Sequence, residues 1–287
     1  SNQFLFYFMN IDSILNGRRC TPGTVRERVP GGELGHLAQA RRRGTHRLVH
    51  RMHASSTSLA IDTDTIEEYN KSMCERMGWD TGDKSPFEYH PERGLYFHLV
   101  WSQLFCGSQP QTVDDIVALY NQGVTGILSL QQPKDLEYWG VDGDALFAKA
   151  AELGIEYVRV GAVDFDPDSL RATLPNAVRE LERLRQAAGE SGNVYVHCTA
   201  GLGRAPAVII AWMYWFTCMD LDDAYAHLTS IRPCGPKKES IRAATFDILD
   251  HRHRDEFPGL PSEAWKYLSA SDRGLIAQRL FDFAGNN

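Results

Sequence analysis

No stretch of this sequence approaches the roughly 20 consecutive apolar residues that a bilayer-spanning helix needs. The longest apolar stretch, residues 205–217, contains Pro206 and reads as a buried helix, so no membrane partner is expected. Cysteine is scattered: the six stand at 20, 74, 106, 198, 218 and 234, and no two form a CxxC pair. That spacing fits neither a zinc site nor a disulfide scaffold; it fits reduced, mostly buried thiols in a reducing compartment. No internal repeat is visible. Residues 1–60 lack lysine and hold nine arginines against three acids (Asp12, Glu27, Glu33), a net of +6. The whole chain carries −7, so the remainder, with 21 basic and 34 acidic residues, carries −13. An acidic body lacks the basic surface on which general nucleic-acid binding relies. An anionic substrate would have to be held by a local site rather than by the overall field.

What is present points to a packed α/β protein. Hydrophobic residues make up 43% of 287 and charged residues 23%, enough to build a core in one large domain or two smaller ones. Residues 1–65 differ from the rest, with Arg41-Arg42-Arg43, Arg47 and Arg51 followed by Ala54-Ser55-Ser56-Thr57-Ser58. An arginine- and serine-rich, acid-poor leader has the composition of an organelle transit peptide and is expected to be disordered.

From about residue 85 the pattern becomes regular. Residues 96–101 and 104–107 read as strands, and Thr112 can cap a helix over 113–121 with Asp114 and Asp115 in its first turn. Residues 124–130 and 155–160 are apolar and β-branched strands, with helical spacing over 144–153 between them. Leu170, Leu174, Val178, Leu181 and Leu184 recur at three and four residues and predict a long helix from Ser169 to about Ala188. Val194-Tyr195-Val196 is a short buried strand that leads directly to Cys198. Strands alternating with helices imply a mainly parallel sheet flanked by helices, with ligands beyond the carboxyl ends of the strands.

The chemistry gathers at His197-Cys198-Thr199-Ala200-Gly201-Leu202-Gly203-Arg204-Ala205-Pro206. A strand enters this stretch and an apolar helix leaves it. Two glycines let a loop curl so that successive N–H groups converge on an anion. The helix adds its positive end, and Arg204 adds a planar fork that fits two phosphate oxygens. The same field favours thiolate over thiol, which makes Cys198 a competent nucleophile toward phosphorus. His197 is better placed to bond neighbouring backbone and orient the loop than to transfer a proton. An alkoxide leaving group needs an acid opposite the thiolate. Asp164-Phe165-Asp166-Pro167-Asp168 supplies three candidates upstream. Asp168 fits best as the helix cap, and spacing alone does not separate Asp164 from Asp166.

The stretch 197–204 resembles the signature of the protein tyrosine phosphatases, and the layout resembles their dual-specificity branch. The run Cys198 to Pro206 is similar to the plant glucan phosphatases of starch breakdown, the Starch Excess Four group, including Ala205 where most dual-specificity enzymes place Ser or Thr. Gly107-Ser108-Gln109-Pro110, Leu130-Gln131-Gln132, Glu137-Tyr138-Trp139-Gly140, Asp164-Phe165-Asp166 and Arg232-Pro233-Cys234-Gly235-Pro236 resemble that group as well. The resemblance implies a tyrosine phosphatase-like domain over residues 85–249 and a C-terminal extension over 250–287 that packs on it. It implies Cys198 as nucleophile, Asp164 as general acid and Arg204 as the arginine of a phosphate loop comprising Thr199, Ala200, Gly201, Leu202, Gly203 and Arg204. It further implies that Phe87, Tyr89, Tyr138, Trp139 and Phe165 stack on sugar rings. The expected substrate is phosphorylated glucan (starch, amylopectin) in a chloroplast or other plastid. Gly235 implies phosphate at C3 of glucose. Neither metal nor cofactor is expected, because the loop and arginine carry the charge. A phosphoprotein phosphatase and a non-catalytic glucan-binding scaffold are the competing expectations.

Overall fold

Five strands form one sheet in the computed structural model, which describes residues 95–250 and 254–282, all within the unit Glu68–Asn287. The expected leader, residues 1–65, and the candidates Phe87 and Tyr89 lie outside the described residues. The strands are β1 Phe97–Trp101, β2 Leu104–Gly107, β3 Val124–Ser129, β4 Glu156–Arg159 and β5 Asn193–His197, in the order β1-β2-β5-β3-β4. β1 is an antiparallel edge; β2, β5, β3 and β4 pair in parallel. The sheet is therefore mainly parallel, as the alternation of elements implies, and β5 lies at its centre.

Alternation along the central strands sorts side chains to two faces. On β5, Val194 and Val196 enter one apolar core, whereas Tyr195 enters the other. On β2, Leu104 and Cys106 join the first core and Phe105 the second. The helices α1 (Val113–Asn121) and α3 (Gly143–Glu152) cover the second face through Ile116, Leu119, Leu146 and Ala150. The first and larger face is covered by α4 (Pro167–Ala188), α5 (Arg204–Phe216), α6 (Leu221–Ile231), α7 (Lys238–Asp250) and α8 (Ala270–Asp282). Leu268, Ile276 and Leu280, in and just before α8, belong to that same core, and α8 packs on α4, α5 and α7.

The long helix opens two residues earlier than the leucine spacing predicts. Its cap is Asp166, not Asp168: the Asp166 carboxylate accepts the N–H groups of Asp168 and Ser169, each at 2.9 Å, with Pro167 at the first helical position. Proline is suited to that position because its missing N–H would be unsatisfied there anyway. A second feature is α2 (Pro133–Trp139), a short helix that the sequence pattern does not predict. Pro133 starts it, Asp135 Oδ2 accepts the Gln132 N–H at 2.9 Å, and Gly140 closes it with φ of 65°. Only Leu136 of α2 is buried, so no apolar periodicity marks it. Cys106, Cys198 and Cys234 are buried, as expected of thiols in a core, but Cys218 is exposed.

Candidate active site

β5 ends at His197, and α5 begins at Arg204 with Gly203 as its cap, so the intervening loop lies at the carboxyl end of a central parallel strand. Cys198 is 4% exposed and Arg204 3%. The loop carbonyls are all held from outside. Cys198 O accepts from His197 Nδ1 (3.0 Å), Thr199 O from Gln109 N (2.8 Å), and Ala200 O from Arg232 Nη2 (2.9 Å). Gly201 O accepts from Arg232 Nε (2.8 Å), Leu202 O from Gly235 N (3.0 Å), and Gly203 O from Ala207 N (3.0 Å). In a trans peptide each N–H points opposite the preceding C=O, and the described residues contain no cis bond. Outward carbonyls from 198 to 203 thus turn the amides of 199–204 toward the other side, which makes a nest for an anion at the start of α5.

Gly201 makes this curvature possible. Its φ is +69°, and a Cβ there would stand 2.3 Å from Gly107 O and 2.7 Å from Arg232 Nη2. Gly203 is different: its φ is −123°, and nothing lies within 4 Å of where its Cβ would be. Of the two glycines the sequence singles out, only Gly201 is demanded by backbone conformation and contact.

His197 is fully buried, and burial is the main reason its pKa falls to about 4, so the imidazole is neutral. Nδ1 faces a carbonyl, which only accepts, so Nδ1 carries the proton and Nε2 accepts from the Tyr157 hydroxyl at 2.9 Å. Burial also raises the Tyr157 pKa, which keeps that hydroxyl protonated. The expectation that His197 orients the loop through backbone fits this geometry.

Arg204 Nη1 donates to Asp135 Oδ2 (2.7 Å) and Ala162 O (3.0 Å), and Nη2 donates to Thr199 Oγ1 (3.1 Å) and pairs with Asp164 Oδ2 (2.9 Å). Among the described residues, Arg204 Nε is a buried donor without a hydrogen-bond partner. Burial works against the guanidinium charge, but Cys198, Asp164 and Asp135 outweigh it and hold the Arg204 pKa above its ordinary value. The Asp164 carboxyl pKa is raised too: burial is the largest cause, Arg204 pulls it down, and Asp135 raises it further. The structure thus separates the two acids that spacing left equivalent. Asp164 reaches Arg204, while both hydrogen bonds of the Asp166 carboxylate serve the start of α4.

Phe165 has φ of +57°, a left-handed conformation unusual for an aromatic residue, and is 40% exposed. Tyr138 is 80% exposed and meets Trp139 edge to face with ring centroids 5.1 Å apart. Both lie one helical turn beyond Asp135, at i+3 and i+4, and so share its face of α2. Asp135 and Asp164 both bind Arg204, which brings α2 and the Phe165 turn to one guanidinium.

Three contributors went unmarked as site residues in the sequence. Asp135 is the shorter of the two carboxylate contacts of Arg204, and an aspartate two residues after Pro133 is the local signal for a capped helix start. Gln131, fully buried, donates from Nε2 to Gln109 Oε1 (2.5 Å) and Thr199 Oγ1 (3.2 Å). Arg232 holds two loop carbonyls from α6's end, and its run was noted only as part of a resemblance.

Residues 104–243 match the catalytic domain of the dual specificity phosphatases. The chain is 38% identical over 198 residues to an amyloplastic phosphoglucan phosphatase of Castanea sativa, a match covering 68% of this chain and 50% of that protein. It is 27% identical over 221 residues to a chloroplastic phosphoglucan phosphatase of Arabidopsis thaliana, covering 77% of this chain and 36% of that one. Laforin of Mus musculus is 23% identical over 159 residues, covering 51% and 47% respectively. The chain therefore spans half the length, or less, of these relatives.

Proposed function

The chain belongs to the dual-specificity phosphatase family, and from that premise we propose that it removes phosphate monoesters from glucan through a cysteinyl-phosphate intermediate. The observation that carries the chemistry is the outward fastening of every carbonyl from Cys198 to Gly203, which leaves the amides and Arg204 Nε available to one oxyanion. The glucan assignment is supported by the likeness to the Castanea sativa protein and by the exposed aromatics near Arg204.

In the first step the Cys198 thiolate attacks phosphorus opposite the sugar oxygen. The S–P bond forms, the P–O bond to the sugar breaks, and the Asp164 carboxylic acid gives its proton to the departing oxygen. The bound phosphate takes Arg204 Nε and Nη2, which releases Asp164 from its ion pair. In the second step the Asp164 carboxylate takes a proton from water, the water oxygen attacks phosphorus, and the S–P bond breaks to restore the thiolate. Loop amides and Arg204 stabilise the charge on the transferring group in both steps. Ala205, where most of the family carries a hydroxyl, offers no side-chain donor for that second step.

Tyr138, Trp139 and Phe165 form the described part of the sugar platform, with Phe87 and Tyr89 proposed to complete it; aromatic faces bind the C–H surfaces of sugars through apolar contact. Residues 250–287 are proposed as an extension of the phosphatase unit, the leader over 1–65 as a plastid-targeting segment, starch as the glucan, and C3 of glucose as the preferred carbon. Rates on solubilised phosphoglucan labelled separately at C3 and C6, set beside rates on phosphotyrosine and phosphothreonine peptides, test the reading. A glucan preference that weakens in Trp139→Ala supports it. A peptide preference untouched by that change would replace it with a phosphoprotein phosphatase.

A further inference from the structure

Two arginines serve the phosphate loop, and their surroundings differ. Arg204 carries two carboxylates, Asp135 at 2.7 Å and Asp164 at 2.9 Å. Arg232 is fully buried behind the loop, and among the described residues no carboxylate pairs with it. Its partners are neutral acceptors: Gly201 O (2.8 Å), Ala200 O (2.9 Å), His98 Nδ1 (3.1 Å) and Tyr96 O (3.3 Å). The Tyr96 ring lies under the guanidinium, 4.8 Å from its centroid. His98 is neutral, its pKa lowered to about 4 by burial and then by Arg232 itself. Among the described residues, the guanidinium that no carboxylate pairs with is therefore Arg232, not Arg204. Its field reaches the sheet: burial pushes the Cys106 thiol and Tyr195 hydroxyl up, and Arg232 pulls both down.

We propose that Arg232 is a positioning residue of the phosphate loop: its fork turns the Ala200 and Gly201 carbonyls outward, so that the Gly201 and Leu202 amides face the oxyanion, and its uncompensated charge supplies the positive field behind the site. The proposal rests on the phosphatase reading above. A lysine retains the charge but replaces the rigid fork with a point charge that does not span both carbonyls. A methionine removes charge and fork together.

The test uses the full chain with Arg232→Lys and Arg232→Met, each checked for folding by circular dichroism and thermal melting. The readouts are the orthovanadate inhibition constant and the kcat and KM for a small aryl phosphate. An inhibition constant does not depend on how much enzyme is active, so a loss of folded protein alone leaves it unchanged. The expected result is graded: orthovanadate inhibition weakens about tenfold with lysine and about a hundredfold with methionine, with kcat/KM falling in parallel. An inhibition constant within about twofold of wild type in a folded variant overturns the proposal. Should Arg232→Met not fold, Arg232→Lys decides alone. Orthovanadate inhibition of the wild-type chain tests the phosphatase reading separately, because failure there involves no substitution.

Discussion

Asp164 Oδ2 stands 2.9 Å from Arg204 Nη2, whereas Asp166, two residues on, is turned back to cap α4. One carboxylate faces the nucleophile loop and its neighbour starts a helix. Asp164 is the proposed general acid, which acts protonated, so Asp164→Asn is expected to lower kcat/KM by roughly 10²–10⁴-fold and to remove the basic limb of the pH profile. The Asp164 pKa is raised in the folded chain, so its contribution to stability is present at low pH and lost as pH rises through that value. The asparagine variant lacks that decline in thermal melts. Asp166→Ala is expected to cost about 1 kcal/mol of stability through the lost cap while kcat stays near wild type. A reversed pattern of kcat loss between the two variants would reassign the acid.

Asp135 pairs with Arg204 at 2.7 Å in a largely buried setting. Removing Asp135 leaves the buried Arg204 with one carboxylate, Asp164, instead of two, at a cost of about 1–3 kcal/mol. Asp135→Ala is expected to show a loss of that size in denaturant unfolding. Turnover should fall with it, because the α2 face that carries Tyr138 and Trp139 is no longer tied to Arg204.

How much of this was legible in the sequence follows from distance along the chain. Strand, cysteine loop and helix are contiguous from Val194 to Phe216, so local pattern was enough to place them. Spacing alone did not single out Asp164, which only the resemblance named, because Asp164, Asp166 and Asp168 are alternatives until Pro167 fixes where the helix begins. Asp135, Gln131 and Arg232 meet the loop across separations of 69, 68 and 31 residues, and no local pattern records such meetings. The helix α2 went unread because seven residues with one buried side chain produce no period.

His98 and His197 are both held near a pKa of about 4, chiefly by burial. Groups neutral in the folded chain bind protons more readily once it unfolds. Stability is therefore expected to fall as pH drops from the ordinary histidine value of 6.5 toward 4. The slope of unfolding free energy against pH, measured by denaturant titration, should correspond to uptake of about two protons on unfolding. A flat profile across that range would contradict the neutral assignment of both rings.

Trp139→Ala and Phe165→Ala are expected to raise KM for phosphoglucan while kcat/KM for a small aryl phosphate stays near wild type. Loss of a buried aromatic contact is worth roughly 1.5–3 kcal/mol, or about 10–150-fold in affinity. Equal losses on both substrates would move these residues from sugar contact to loop support.

The central claim is that phosphate passes through the sulfur of Cys198. Rapid acid quench of the full chain with radiolabelled phosphoglucan, followed by peptide mapping, measures it directly. The account predicts transient label on the peptide containing Cys198, and in Cys198→Ser neither label nor turnover. Label on any other residue, or near-wild-type turnover in Cys198→Ser, would contradict it.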